Sequence, residues 1–283
     1  MADSSEQPLK TYRGNCHCGA FVYEAQLPEI TSVGECNCSY CYKKGYLFAF
    51  PGAENFKVVK GDPEDLQTYT FGNRRCHHKF CRTCGTGIFA TVPAGPPRMA
   101  IGLNVHTIQD INTWELARNF HDGASVGPRY QQPPHKGDLP TAEIEHGKTY
   151  TGGCHCGAVS VAVVTKPLDE TFDDMHAPIW FFPMYPQVVL SGDEDKIGYY
   201  VMGFGLSRKS FCKVCGIVLT NRWNPDFTQE QEDALPEDIR NFVQGLKPRN
   251  PLNLRVLPEV DVSKLKIVQG EGRLRPLPDY VNP

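Results

Sequence analysis

The chain has 283 residues, with 29 Lys and Arg against 32 Asp and Glu, a formal charge of -3 and a pI near 6.3, so it carries no broad basic surface and nucleic acid is not expected as a general partner. Its length allows two domains of ordinary size, each with its own core. Met1–Gln7 is polar and acidic, and no apolar run approaches membrane-spanning length, so a soluble, cytoplasmic protein with no membrane partner is expected.

After roughly ten residues expected to be disordered, Gly14 to Ala25 reads as a Cys-His-Cys knuckle running into a strand, with Phe21, Tyr23 and Ala25 alternating against Val22 and Glu24. Further strand-like runs follow at Leu47 to Phe50, Phe56 to Lys60, Leu66 to Phe71, Ile88 to Val92 and Met99 to Val105, separated by prolines and glycines. No stretch of this half holds a helical period beyond a turn or two, so a mainly antiparallel β domain over 10–122 is predicted. Residues 123–148 hold Gly127-Pro128, Pro133-Pro134, Gly137 and Pro140 and read as an extended linker.

Beyond the linker the chain repeats itself. Cys16-His17-Cys18-Gly19-Ala20 recurs as Cys154-His155-Cys156-Gly157-Ala158, and Phe80-Cys81-Arg82-Thr83-Cys84-Gly85 recurs as Phe211-Cys212-Lys213-Val214-Cys215-Gly216. Gly61 to Cys81 and Gly192 to Cys212 both span 20 positions, and Tyr69 and Gly72 fall on Tyr200 and Gly203 at the same offset of 131. The knuckles are offset by 138 and Leu103-Asn104-Val105-His106 matches Leu252-Asn253-Leu254-Arg255 at 149. The second copy, 149–283, has therefore lost residues where the first holds Cys36 to Cys41, and gained an acidic segment near 228–247. That segment is expected to be a solvated helix starting at Pro236, a residue suited to a first helical turn.

Eleven of the twelve cysteines are grouped as C-x-C and C-x-x-C, Cys76 standing apart, and in a reducing compartment they read as metal ligands rather than disulfides. Structural zinc wants a tetrahedron of four ligands, commonly two from each of two turns. Cys16, Cys18, Cys81 and Cys84 supply one set; Cys154, Cys156, Cys212 and Cys215 supply the other. The glycine after each C-x-x-C permits the left-handed backbone such turns use.

Cys36, Cys38 and Cys41 form a third cluster with no obvious fourth partner, the donor pattern of a catalytic zinc with an exchangeable position. Cys76, His77 or His78 could instead close that tetrahedron and make a third structural site. Tyr40, Tyr42, Lys43, Lys44 and Glu35 are candidates for substrate binding or proton transfer by proximity alone. Arg74, Arg75, His77 and His78 make a second local group of cationic or titrating side chains. In the second copy the corresponding loop, Thr171 to Trp180, has no cysteine; with the gap placed after this loop, Asp174 and His176 overlie Cys36 and Cys38, while Ile179 overlies Cys41.

The order Gly-x-Cys-His-Cys-Gly-Ala, Cys-x-Cys-x-x-Cys, a Gly-Asp turn with Tyr-x-Phe, then Phe-Cys-x-x-Cys-Gly-Thr resembles the glutathione-dependent formaldehyde-activating enzyme family, which includes centromere protein V. The resemblance covers Gly14 to about Asp122 well and Gly152 to about Val268 in degenerate form. It implies tandem zinc-bearing β-tent-like domains, structural zinc on Cys16, Cys18, Cys81 and Cys84, and a catalytic zinc on Cys36, Cys38 and Cys41. The implied activity is that of a carbon-sulfur lyase on a thiol such as glutathione and a small carbonyl or their adduct. The alternatives are a zinc-stabilised binding module without turnover, or a secondary-metabolism enzyme acting on a larger carbonyl compound.

Overall fold

The computed structural model describes residues 8–169, 172, the backbone of 175–176, and residues 180–202, 205–266 and 280–283. The chain falls into two units, one ending at Tyr130 and taking in Asn282–Pro283, the other running from Gln131 to Val281. Both are mainly β. No helix among the described residues is long and apolar enough to cross a membrane.

The first unit begins with β1 (Lys10–Asn15), β2 (Val22–Leu27), β3 (Ser32–Cys36), α1 (Ser39–Lys44), β4 (Leu47–Ala49) and β5 (Phe56–Lys60). It continues with β6 (Gln67–Tyr69), β7 (His77–Phe80), β8 (Gly87–Thr91), β9 (Ile101–Asn104) and β10 (Ala117–His121). A small antiparallel sheet has the order β1-β2-β5, and a seven-stranded sheet the order β10-β3-β4-β9-β8-β7-β6. Within the large sheet only the β10–β3 pair is parallel.

The core of this unit lies between the sheets. Phe21 and Phe56 each meet the Phe89 ring, at 6.0 and 5.4 Å, and Tyr23 meets Phe56 at 5.4 Å. A side chain of this size contributes about 2–3 kcal/mol when fully buried. The one polar atom this brings inside, the Tyr23 hydroxyl, is hydrogen-bonded to the Thr107 hydroxyl at 2.8 Å. Six strands, β2, β4, β5, β6, β8 and β9, lie where the apolar runs predict them. β1, β3, β7 and β10 have no such run.

The second unit holds β11 (Lys148–Gly153), β12 (Val159–Thr165), β13 (Met175–His176), β14 (Trp180–Phe181), β15 (Val188–Gly192), β16 (Ile197–Met202), β17 (Ser207–Cys212) and β18 (Val218–Trp223). The inserted segment and a last short strand follow as α2 (Gln229–Asp233), α3 (Glu237–Leu246) and β19 (Leu252–Asn253). Its small sheet is β11-β12-β15, and its large sheet β13-β14-β19-β18-β17-β16. Element by element this is the order of the first unit from β3 onward, and no counterpart of β10 lies among the described residues.

Finer details coincide as well. The β7–β8 ladder shifts register between Lys79 and Phe80, the β17–β18 ladder between Ser210 and Phe211, in each case just before the C-x-x-C turn. Bulges of this kind re-aim the residues after them. Asn104 donates to the Gly87 carbonyl at 2.8 Å and Asn253 to that of Val218 at 2.9 Å. Tyr12 and Tyr150 accept the amides of Ile30 and Leu168 at 3.0 and 2.7 Å.

Residues 131–147 carry no strand, but they are tied to their own unit: the Lys136 amide donates to Ser160 Oγ at 3.1 Å. The inserted segment is not simply solvated. Pro236 is the N-cap of α3, one residue ahead of the first turn. Ile239 and Val243 are buried against Leu206 and flanked by Trp223, Phe227, Leu235 and Phe242. The buried Glu232 carboxylate takes Lys247 Nζ and Gln244 Nε2, both at 2.6 Å, which fastens the two helices together.

Candidate metal centres

In each unit a C-x-C turn of the small sheet faces a C-x-x-C turn of the large one. Cys16 and Cys18 meet Cys81 and Cys84; Cys154 and Cys156 meet Cys212 and Cys215. In each set all four Sγ atoms lie within 4.8 Å of one another. Cys18 Sγ is 3.5 Å from Cys16 Sγ and 3.6 Å from Cys81 Sγ, and Cys156 Sγ is 3.6 Å from both Cys154 and Cys212. A tetrahedron with metal–sulfur arms of about 2.3 Å has edges of about 3.8 Å, so the thiols stand at the spacing such an ion needs.

Gly85 and Gly216, at φ 70 and 69, are left-handed as the turn requires. The amides of Phe21 and Val159 donate to Cys16 and Cys154 Sγ at 3.3 and 3.2 Å. Hydrogen bonds from neighbouring thiols hold Cys84 far below the ordinary thiol range and Cys81 down to about 7. In the second set they hold Cys154 and Cys156 low. The same contacts, with burial, push Cys16, Cys18, Cys212 and Cys215 up, so each set holds two of its four thiols toward the anionic form that binds metal.

The third cluster is built by one strand end and one short helix. Cys36 ends β3, Cys38 is the N-cap of α1, and Cys41 lies buried within it. Their Sγ atoms lie within 4.8 Å of one another, and among the described residues no further Cys, His, Asp or Glu completes the set. The Cys41 amide donates to Cys38 Sγ and the Cys38 amide to Cys36 Sγ, each at 3.4 Å. Gly45, in the left-handed conformation, ends the helix after two turns. Hydrogen bonds from the Cys38 and Cys41 thiols, the Cys38 amide and the charge of His121 together push the Cys36 thiol well below its ordinary range, against burial. The bonds Cys41 makes to the other two thiols, together with its burial, push it well above.

Residues just beyond β10 close one side. His121 is in register with Cys36, and its carbonyl accepts the Asn37 amide at 3.3 Å. Asn37 Nδ2 donates to Asp122 Oδ1 and Asn37 Oδ1 accepts the Ala124 amide, both at 2.8 Å. Between them sits Gly123, where a Cβ would lie 2.5 Å from Cys36 Sγ and 3.1 Å from Cys38 Cβ. Nothing in the spacing of the cysteines announces this glycine; the Asp-Gly turn signal at 122–123 was the one trace of it. Gly123→Ala is expected to weaken metal binding at this cluster by about tenfold, the scale seen when a ligand's surroundings are disturbed, with the far-UV spectrum unchanged. Metal competition against a chromogenic chelator checks it.

The other side is aromatic. The Tyr40 ring, fully buried, lies 4.4 Å from His78, 5.1 Å from Tyr69, 5.6 Å from Phe71 and 6.0 Å from Tyr46. His78 therefore packs in the aromatic group around Tyr40, and His77 pairs with Thr91 in the sheet; neither joins the three thiols. The Cys76 thiol also lies outside the set, pushed up to about 12 by burial and by the charges of Cys38 and Cys36. Lys43 is buried, and Lys44 Nζ donates to the Gly85 carbonyl at 3.0 Å, over the Phe80 ring. Glu35 is half-buried in β3 opposite Leu47, Tyr42 is half-buried on α1, and Arg74 and Arg75 are exposed in the β6–β7 turn.

Residues 11–121 match the model of the family described as glutathione-dependent formaldehyde-activating enzyme. Through its first unit the chain belongs to this family. The matched stretch begins in β1 and ends at His121, the last residue of β10, so it encloses one four-thiol set and the three-thiol cluster. The family's description is of an enzyme that acts with glutathione on formaldehyde. A crystal structure of a Rhodobacter sphaeroides protein, a structural-genomics target, is 32% identical over 38% of this chain and 99% of its own, with a TM-score of 0.34.

In the second unit the loop expected to correspond to the three-thiol cluster is 171–180. Asp174 and Ile179 lie outside the described residues, and of His176 only the backbone, in β13, is described. The four-thiol set is the one metal-ligating group found among the described residues of this unit.

Proposed function

We propose that the protein is a zinc-dependent enzyme of the carbon-sulfur lyase type, which joins or separates a thiol of the glutathione kind and a small carbonyl such as formaldehyde. The observation that carries this reading is the cluster of Cys36, Cys38 and Cys41, three thiols within 4.8 Å of one another in a chain whose structural sets each use four. Zinc held there would offer a Lewis-acid centre with one exchangeable position. Three thiolates outweigh a 2+ charge, so this donor set favours exchange of thiolate ligands over generation of hydroxide.

The chain's own groups prepare the site. The Cys38 and Cys41 amides stabilise Cys36 and Cys38 as thiolates. Tyr40, Tyr46 and His78, all buried, keep water from the inner wall, which favours a carbonyl over its hydrate. Asn37 and Gly123 hold the Cys36 side open to a ligand without letting the loop collapse on it.

Residues 10–122 with the loop to Ser125 would be the reacting unit, 123–148 its connection, and 149–283 a copy that kept the structural zinc and lost the reacting thiols. The shared strand order, bulge position, Asn104/Asn253 bond and Tyr12/Tyr150 bond support this duplication. Twelve thiols without a disulfide suit a cytoplasmic setting.

The test is exchange NMR on glutathione and formaldehyde with the full, zinc-loaded chain. Exchange faster than in buffer, and lost in Cys38→Ser, is the expected result. A folded, fully loaded protein that accelerates neither formaldehyde nor larger aldehydes would make it a binding module. Acceleration with the larger aldehydes alone would move it to the secondary-metabolism reading.

A further inference from the structure

The large sheet of the second unit carries two arginines directly opposite each other. Arg208 of β17 and Arg222 of β18 are cross-strand partners, and Arg208 is also opposite Val201 of β16. Like charges in that position repel. No carboxylate forms an ion pair with either among the described residues. The Nε of each is buried without a hydrogen-bond partner.

What holds the pair is aromatic. The Tyr199 ring has the Arg208 guanidinium 4.2 Å from its centroid and that of Arg222 at 5.3 Å. Arg222 Nη1 donates to the Tyr185 hydroxyl at 2.6 Å. The result is a row across three strands and a turn, Tyr199, Arg208, Arg222, Tyr185, whose tyrosines are both exposed at the surface.

The shared fold does not require this row. At the same places in the first unit the cross-strand pair is His77 and Thr91, and Thr68 stands where Tyr199 does. Two planar forks held side by side with unused donors match the oxygens of one carboxylate or phosphate group, each guanidinium able to bond two of them.

We propose that Arg208 and Arg222, framed by Tyr199 and Tyr185, form a binding site for the oxyanion group of a small carboxylate- or phosphate-bearing ligand. A bound oxyanion cancels the repulsion between the arginines and satisfies their donors. Two guanidiniums at one spot on a chain of net charge -3 suit a single anionic group rather than a nucleic-acid backbone, which needs a track of charges.

The experiment is calorimetric titration of the full chain with inorganic phosphate and, separately, succinate at constant ionic strength, repeated for Arg208→Gln, Arg222→Gln and Arg208→Lys. Saturable binding of one anion, weakened at least tenfold in both glutamine variants and less in the lysine variant, is expected. The anion that binds names the ligand class. The same anion should raise the thermal midpoint of the wild type and leave that of the glutamine variants unmoved, a response that a merely structural pair would not give. No saturable binding of either anion, or equal binding by variants whose circular dichroism matches the wild type, overturns the proposal. So does a single-stranded oligonucleotide that binds more tightly than both anions and is lost in the same variants. Should either glutamine variant fail to fold, Arg208→Lys with its charge kept and its fork removed carries the comparison alone.

Discussion

With the three thiol sets each proposed to hold one ion, Cys38→Ser should reduce the bound metal from three ions to two and leave the fold unchanged. Three sets of thiols stand at metal-binding distance, and this substitution touches only one. Serine is a favoured helix N-cap, so its hydroxyl can take over the Cys41 amide that Cys38 Sγ now accepts at 3.4 Å, and α1 should persist. What serine does not replace is a soft thiolate donor. Disturbing a mere neighbour of a metal ligand costs about 10- to 100-fold in affinity or activity, so removal of a ligand should cost at least on the order of 100-fold. Elemental analysis, circular dichroism and exchange NMR on one preparation read all three quantities. Retention of three ions, or loss of the fold, would remove the three-thiol cluster from consideration as a separate reacting centre.

The opposite outcome is expected at the four-thiol sets. Cys212→Ser should unfold the second unit, because Cys212 is wholly buried where the two sheets of that unit meet. Structural zinc contributes on the order of 10–16 kcal/mol in small peptides, against a whole-domain stability of roughly 5–15 kcal/mol. The chain places a convenient reporter: Trp114 belongs to the first unit, whereas Trp180 and Trp223 belong to the second, and Trp223 packs edge-on against Phe227 at 5.6 Å. A red-shifted emission dominated by Trp180 and Trp223, with the three-thiol cluster still able to take up metal, is the predicted pattern. Cys81→Ser should reverse it, and in that variant the three-thiol cluster should fail too, since β3 is held within the same large sheet as the turn that carries Cys81.

The metal-binding groups were legible because ligand spacing is a local property of the chain. Two thiols separated by one or two residues meet on a turn whatever the rest of the molecule does, and the glycine after them fixes the turn's hand. Paired turns then follow from counting, since each structural ion needs four donors. Strands with one buried face were legible for a similar reason, their period of two being written into the residues.

β10 was not, because Ala117–His121 is exposed along its whole length and has no face to pattern. Only backbone bonds to β3 make it a strand, and these carry no residue code. The role of Gly123 was hidden with it. α1 is too short to show a period; the cysteine at its start and Gly45 at its end specify it. The amphipathic face of α3 is written in Ile239, Phe242 and Val243, three and four residues apart, within a segment whose acidic composition otherwise points to solvent. The row of Tyr199, Arg208, Arg222 and Tyr185 left no sequence signal, since its members come from three strands and a turn.

The parallel pairing of β10 with β3 also sets an order of events. Cys36 and His121 are brought together across the greatest part of the first unit's length, and closing so long a loop is costly in chain entropy until the strands between are in place. A chain still emerging from the ribosome can therefore gather the four-thiol set as soon as Cys84 is made, whereas the pocket around Cys36 is completed only when the loop to Ser125 arrives. Assembly in that sequence would let the first ion secure the fold before the reactive centre acquires its last wall.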